Sequence, residues 1–156
     1  ASPDSKYTAA LWSGAVYTLS PVITFAQSPD VVFFEIKKES GDKAVFTTVI
    51  FGNSDTLKLG QSVVYISGDD HSLVSVGRVT GLKKGNADSN GISSLEGIET
   101  DIVPKDSLTG GPLITLSGQV VGMSTLAATG PTAPAFTPSN ILQTALSNKN
   151  NNSAQN

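Results

Sequence analysis

Apolar residues along this 156-residue chain come in short runs that turn-forming residues separate. The runs are rich in Val, Ile, Thr, Phe and Tyr, and Gly, Asp, Asn and Ser interrupt them, which is typical of β-strands joined by turns. The pattern predicts strands near residues 6–12, 21–26, 31–37, 43–51, 62–67, 73–82, 95–100, 112–116, 119–127 and 134–137. The polar segment 83–94 is expected to form an exposed loop.

One helix is predicted close to the end of the chain, at about 139–147. Pro138 precedes Ser139, which is a good N-cap, and the apolar stripe that follows has helical spacing. Residues 148–156 include no apolar residue larger than Ala, so a flexible polar tail is expected there. Many short strands and one late helix predict an all-β fold, either a barrel or a sandwich.

Composition narrows the possible functions. The net charge is −3 and the ten Lys and Arg residues are spread along the chain, which argues against nucleic-acid binding. No apolar run approaches 18 residues, so no membrane span is predicted. The chain has no cysteine and one histidine, His71, which argues against disulfides, thiolate metal sites and His-based zinc sites. No phosphate-binding loop is visible, and we expect neither a cofactor nor a metal.

The run IETDIVPKDSLTGGPL, from Ile98 to Leu113, carries a family resemblance. It is similar to a segment of HtrA-like serine proteases, a branch of the trypsin-like family, in which a Thr-Asp pair precedes Gly-Asn-Ser-Gly-Gly-Pro-Leu at the same distance. Segments 30–36, 59–68 and 135–140 resemble further parts of the family in the same order. The resemblance covers roughly residues 6–147 and implies a trypsin-like double β-barrel with a C-terminal helix.

The resemblance also implies a division of the chain. A remnant of the first barrel is expected at about 1–58, the second barrel at about 59–138, the closing helix at 139–147 and the polar tail at 148–156. The first barrel is expected to lack its N-terminal strands in this chain. An open barrel exposes strand edges, so we expect one of three things: a second chain supplies the strands, a neighbouring copy covers the edge, or the strands lie in a segment outside this chain.

Two positions match the family's catalytic triad. The resemblance aligns Asp30 with the aspartate, the alternative being a turn aspartate in Ser28-Pro29-Asp30, and it places Thr109 at the position of the nucleophilic serine. Thr109 is either a turn threonine or a nucleophile whose histidine lies in a segment outside this chain. His71 lies in a turn of the second barrel and is expected to be an exposed turn residue. A metal site on this scaffold would need histidines that the chain lacks.

The resemblance also assigns site roles to five further positions. Ser107 and Leu108 fall at the oxyanion-hole positions, where the family has a glycine and a small or polar residue. Val103 falls at the floor of the specificity pocket, which it would make apolar. Met123 and Ser124 are expected on the strand that pairs with a bound peptide, near 119–125. For Val103, Met123 and Ser124, the alternative is ordinary packing within the barrel.

Two functions follow as hypotheses. The first is a catalytically inactive HtrA-like domain that binds or scaffolds an extended peptide or a protein, by adding a strand to a sheet edge. The second is a fragment of an HtrA-like serine-type endopeptidase that uses Thr109 with a histidine from outside this chain. The resemblance implies an extracytoplasmic location.

Overall fold

The computed structural model describes residues 6–11, 13–24, 31–38, 41, 44–67, 73–87, 89–102, 110–125 and 135–153. Contacts divide the chain into two units, Ala1–Thr48 and Val49–Asn156. Strands predominate in both units, and the α-helix lies in the second. The fold is therefore mostly β with a C-terminal helix, as the sequence pattern predicts.

The first unit contains a three-stranded antiparallel sheet in the order β1-β2-β3. Its strands are β1 (Tyr7–Ala10), β2 (Val16–Thr24) and β3 (Val32–Ile36). The strand predicted at 21–26 begins earlier, at Val16, and the register with β3 shifts between Pro21 and Ile23. A proline without an N–H is tolerated in a strand at such an irregularity.

The second unit contains a closed antiparallel barrel. Six strands form it: β5 (Ser62–Ser67), β6 (Leu73–Ala87), β7 (Ser93–Thr100), β8 (Pro112–Thr115), β9 (Gln119–Ser124) and β10 (Ala135–Pro138). The ring closes because β10 pairs with both β7 and β9. Fully buried apolar side chains such as Val63, Tyr65 and Phe136 form its core. The structure thus provides one barrel and one small sheet, and the complete double barrel stays a prediction.

The prediction of a loop at 83–94 is wrong over much of that range, because β6 continues to Ala87 and β7 begins at Ser93. Lys83 on β6 forms an ion pair with Glu99 on β7, with 2.8 Å between Nζ and Oε1. The carboxylate of Glu96 lies over Gly85, where a Cβ would collide with it. Cross-strand contacts between polar side chains can extend a strand pair without apolar residues, and periodicity does not reveal them.

The contacts place the division of the chain between Thr48 and Val49, and the barrel boundary near residue 58 stays a prediction. The strand predicted at 43–51 is limited, in the described residues, to β4 (Ile50–Phe51), which runs parallel to β9. A single turn of 3₁₀ helix, Ser54–Thr56, follows β4. The backbone N–H of Ser54 donates to Asn140 Oδ1 at 3.2 Å, which joins this turn to the closing helix. These contacts place residues 49–58 in the second unit.

The closing helix α1 spans Ser139–Ser153, six residues beyond the predicted end. The predicted tail is therefore helical through Ser153. The sequence from 139 to 153 contains no Gly or Pro, so no residue type in it breaks the hydrogen-bond ladder, although Asn and Ser have only modest helix propensity. Among the described residues, no helix has the length and apolar character needed to cross a membrane.

Candidate active-site region

Most of the predicted site residues lie outside the described residues. These are Asp30, His71, Val103, Ser107, Leu108 and Thr109. The structure does describe Met123, Ser124 and the chain on both sides of segment 103–109. The two ends that hold this segment and the strand beside it define the region.

The entrance to segment 103–109 is fastened to β6. The Arg78 N–H donates to Asp101 Oδ1 at 2.6 Å, and the Asp101 N–H donates to the Arg78 carbonyl at 3.1 Å. Thr100 Oγ1 accepts from the Ile102 N–H at 3.3 Å. A Cβ on Gly77 would overlap the Asp101 carboxylate and the Ile102 side chain, so only glycine fits there without rearrangement. The Thr-Asp pair of the motif thus serves as a structural anchor.

The exit from the segment is fastened to β9 through two glycines. The Gly110 N–H donates to the Ser124 carbonyl at 2.8 Å, and the Ser124 N–H donates to the Gly111 carbonyl at 3.0 Å. Gly110 has φ 95°, a conformation that L side chains rarely adopt. A Cβ on Gly111 would lie 2.7 Å from Tyr65 Cε2 and closer still to the Ile66 carbonyl oxygen. Both glycines are therefore required by the local structure.

Tyr65 joins these pieces, and sequence reasoning did not identify it as a site residue. Its side chain is 1% exposed, and its hydroxyl lies 3.0 Å from Ser124 Oγ. Its ring packs edge-on against Phe136, with 5.2 Å between centroids, and against the backbone at Gly111. Its position on β5, between half-buried Val64 and Ile66, indicates only an inward-facing residue; no local pattern connects it with a strand 59 residues later.

The strand expected to receive a peptide has no open edge along Gly122–Met123. Met123 pairs with Pro112 of β8 on one side and with Thr137 of β10 on the other. Gly122 is likewise paired on both sides, and β4 pairs with the strand near Val120. Strand addition along 119–124, as predicted near 119–125, therefore conflicts with the existing ladders. The roles of Met123 and Ser124 in substrate binding stay predictions.

No group of three or more His, Cys, Asp or Glu side chains is arranged to hold a metal ion within the part of the chain that the structure describes. Within the described residues, the polar atoms that hydrogen bonds bring together near the glycine pair are backbone amides, backbone carbonyls and two hydroxyl groups. Such uncharged groups can position a backbone segment or pair with a peptide.

Comparison with known proteins identifies the family to which this chain belongs. A family model described as "Trypsin-like peptidase domain" matches residues 2–123. The chain belongs to this family. It is 31% identical over 121 residues to Serine protease HTRA1 of Xenopus laevis, an alignment that covers 74% of this chain and 25% of that protein. The predicted resemblance to trypsin-like, HtrA-like proteins is confirmed.

Two further relatives come from other lineages. A probable periplasmic serine endoprotease DegP-like of Pseudomonas fulva is 40% identical over 92 residues, covering 57% of this chain and 18% of that protein. Protease Do-like 5, chloroplastic, of Arabidopsis thaliana is 30% identical over 125 residues, covering 78% of this chain and 36% of that protein. The chain thus spans only a minor part of the length of these relatives.

Proposed function

We propose that this chain is a catalytically inactive HtrA-like domain that binds an extended peptide or a protein. Thr109 carries the proposal, because it stands at the position of the family's nucleophilic serine. Its additional methyl group restricts χ1 and crowds the path of attack on a carbonyl. Internal threonines also lack the N-terminal amine that activates known threonine nucleophiles. Ser107 and Leu108, at the oxyanion-hole positions, support the same conclusion.

The framework around the altered positions supports a retained binding role. Gly110 and Gly111 keep their hydrogen bonds to Ser124, and Asp101 fastens the other end of the segment to β6. The contacts at these two ends do not involve the side chain at position 109. Recognition of an extended peptide needs backbone groups that can pair with it, whereas hydrolysis also requires the nucleophile and the base.

The proposed peptide must pair with backbone beyond β9. Since β9 is already paired on both sides, the chain that follows Ser124 is the nearest continuation that the proposal can use. Val103 and Met123 would then provide apolar contacts for one peptide side chain. Alanine substitution of Met123 should weaken peptide binding in a calorimetric titration with an unfolded protein substrate, measured well below the unfolding midpoint of the variant.

A partner for the first unit is a second part of the proposal. Strands β1 and β3 are the outer strands of the described three-stranded sheet. We infer that a second chain or another segment adds to this sheet and completes the first barrel. The denatured intact mass of natively purified material tests this point: a shorter second polypeptide would support a two-chain barrel, and a single mass equal to this chain would oppose it.

The competing function is a serine-type endopeptidase that uses Thr109 and a histidine from a segment outside this chain. The two functions separate in one assay, which follows cleavage of an unfolded protein such as reduced casein by the native material and by Thr109→Ala. The binding proposal expects no cleavage above background from either protein, and equal casein affinity. Cleavage that disappears in Thr109→Ala would overturn the proposal and establish the peptidase.

The location proposed for this domain is extracytoplasmic. Relatives from Pseudomonas fulva and Chlamydia trachomatis are named as periplasmic, which supports the proposal, and the Arabidopsis relative is named as chloroplastic. Fractionation of the source cells followed by immunodetection tests it, and detection in the cytoplasm alone would contradict it.

A further inference from the structure

We propose that Tyr65 is a positioning residue of the candidate binding site, which holds Gly110 and Gly111 against the end of β9. The inference rests on the peptide-binding function proposed above and names a side chain on which that site depends. The Tyr65 ring packs beside Gly111, because a Cβ there would lie 2.7 Å from Tyr65 Cε2 and 3.1 Å from Cζ. The Tyr65 hydroxyl lies 3.0 Å from Ser124 Oγ, and the Ser124 N–H donates to the Gly111 carbonyl at 3.0 Å. Tyr65, Gly111 and Ser124 therefore form a closed set of three contacts.

The glycine pair offers little restraint of its own. Gly110 has φ 95°, and apart from its chain neighbours no atom lies within 4 Å of the place where its Cβ would project. Glycine has more conformational freedom than any other residue, so two in succession keep one conformation only where neighbouring groups hold them. Gly110 is held by its bond to the Ser124 carbonyl, and Gly111 is held by the Tyr65 ring and its bond to Ser124.

The ladder between β5 and β8 stops short of the glycine pair in the described residues. Its last pair toward that end joins Tyr65 to Leu113. Pro112, which precedes Leu113, has no N–H to donate to a ladder. The contact of β5 with Gly111 is instead close packing against the Tyr65 ring and the Ile66 carbonyl. The Tyr65 side chain thus extends the link between these two strands to the glycine pair.

The hydroxyl of Tyr65 gives this residue a role beyond core packing. Tyr65 is buried, and a buried hydroxyl costs stability unless it is hydrogen-bonded. A phenylalanine would fill the same space without the bond to Ser124. Ser124 is the last residue of β9, the point from which the proposed peptide pairing continues. Loss of the bond frees the Ser124 side chain to change its staggered conformation and loosens the end of the strand.

Amide hydrogen exchange of the whole chain, followed residue by residue by NMR, tests the positioning without a ligand. Tyr65→Phe should accelerate exchange at the Gly110 and Ser124 amides about fivefold more than at a reference amide. The reference is the Gly52 N–H, which donates to β9 near its other end. Asn140→Ala should lose similar stability but removes bonds to the 3₁₀ turn beside Gly52, so the order should reverse there. Equal acceleration of all three amides by Tyr65→Phe would overturn the proposal.

Calorimetric titration with reduced casein, well below the unfolding midpoints, tests whether the positioning matters for binding. Tyr65→Phe should weaken affinity by about three- to tenfold, and Asn140→Ala should leave it within about twofold of the native value. Ser124→Ala should weaken it as well, and the double variant should bind no more weakly than the weaker single variant, because both changes break one bond. Native affinity in Tyr65→Phe, or losses that add in the double variant, would overturn the proposal. Native material that binds no casein would overturn the proposed function instead, and the exchange rates would still decide whether Tyr65 positions the glycine pair.

Discussion

Replacement of Gly111 by alanine should destabilise the barrel strongly, for a steric reason. The new Cβ would lie 2.7 Å from Tyr65 Cε2 and closer still to the Ile66 carbonyl oxygen. Neither neighbour can yield easily, because Tyr65 is 1% exposed and β5 is paired with β6 on one side and β8 on the other. Overpacking at rigid positions costs about 1–3 kcal/mol, and we expect the upper end here, about 3 kcal/mol. For a chain of this length, the midpoint should fall by about 6–12 °C.

Two glycines of the same barrel provide matched controls. A Cβ on Gly97 would meet only Lys83 atoms at 3.5 Å and beyond, which is ordinary contact, so Gly97→Ala should be neutral or stabilise by about 0.5–1 kcal/mol. Gly110 has φ 95° but open space around its Cβ position, so Gly110→Ala should cost about 1–2 kcal/mol from backbone strain alone. The predicted order of destabilisation is therefore Gly111, then Gly110, then Gly97.

Urea unfolding followed by far-ultraviolet circular dichroism measures all three variants. Thermal scans of the same samples give the midpoints independently, and an unchanged urea dependence would show that the unfolding reaction is the same. A loss smaller than about 0.5 kcal/mol for Gly111→Ala would refute the reasoning, since the β5 backbone would then be free to move. Equal losses of stability for Gly97→Ala and Gly111→Ala would refute it as well. Any added methyl group would then destabilise the barrel, whether or not it meets a neighbouring atom.

Other contacts lead to smaller, separable effects. Tyr65→Phe removes a buried hydrogen bond and should cost about 1–2 kcal/mol in urea unfolding; combined with Ser124→Ala it should cost less than the sum of the single changes. Asn140→Ala removes bonds to the 3₁₀ turn and should cost about 1–2 kcal/mol. By contrast, Thr144→Ala removes a bond from an exposed hydroxyl to the Asn140 carbonyl of the same helix and should change stability by less than about 0.5 kcal/mol. Lys83→Ala breaks an exposed ion pair and should cost less than about 1 kcal/mol, an effect that added salt should reduce further.

Several strands of the second unit were predictable, because core strands such as β5 and β8 alternate buried and half-buried residues. On β5, Val63 and Tyr65 are buried while Val64 between them is half-buried, and the predicted bounds 62–67 agree with the structure. The prediction failed where stability comes from contacts that periodicity does not express. The β6–β7 extension depends on paired polar side chains such as Lys83 and Glu99, and α1 continues because nothing in its sequence stops it.

The candidate site was predictable only as a motif. The order and spacing of the segment from Ile98 to Leu113 led to the trypsin-like family, and the family match confirms that inference. The contacts that hold the motif were not predictable, since Tyr65 meets Ser124 across 59 residues of sequence. Asp101 was recognised as part of a pattern, but its bond to the Arg78 backbone becomes visible only when β6 and β7 pair.

These contacts separate the requirements of the fold from those of catalysis. Gly110 is needed for its backbone conformation, and Gly111 is needed because Tyr65 and the Ile66 carbonyl leave no room for a Cβ. Neither requirement involves the side chain at position 109. The Gly-Gly-Pro part of the motif would therefore persist in an inactive domain, and its presence is no argument for hydrolysis. The decision rests on Thr109 itself: if a competent base and oxyanion hole exist, Thr109→Ser should raise casein cleavage, and if they do not, the serine variant should stay as inactive as the native chain.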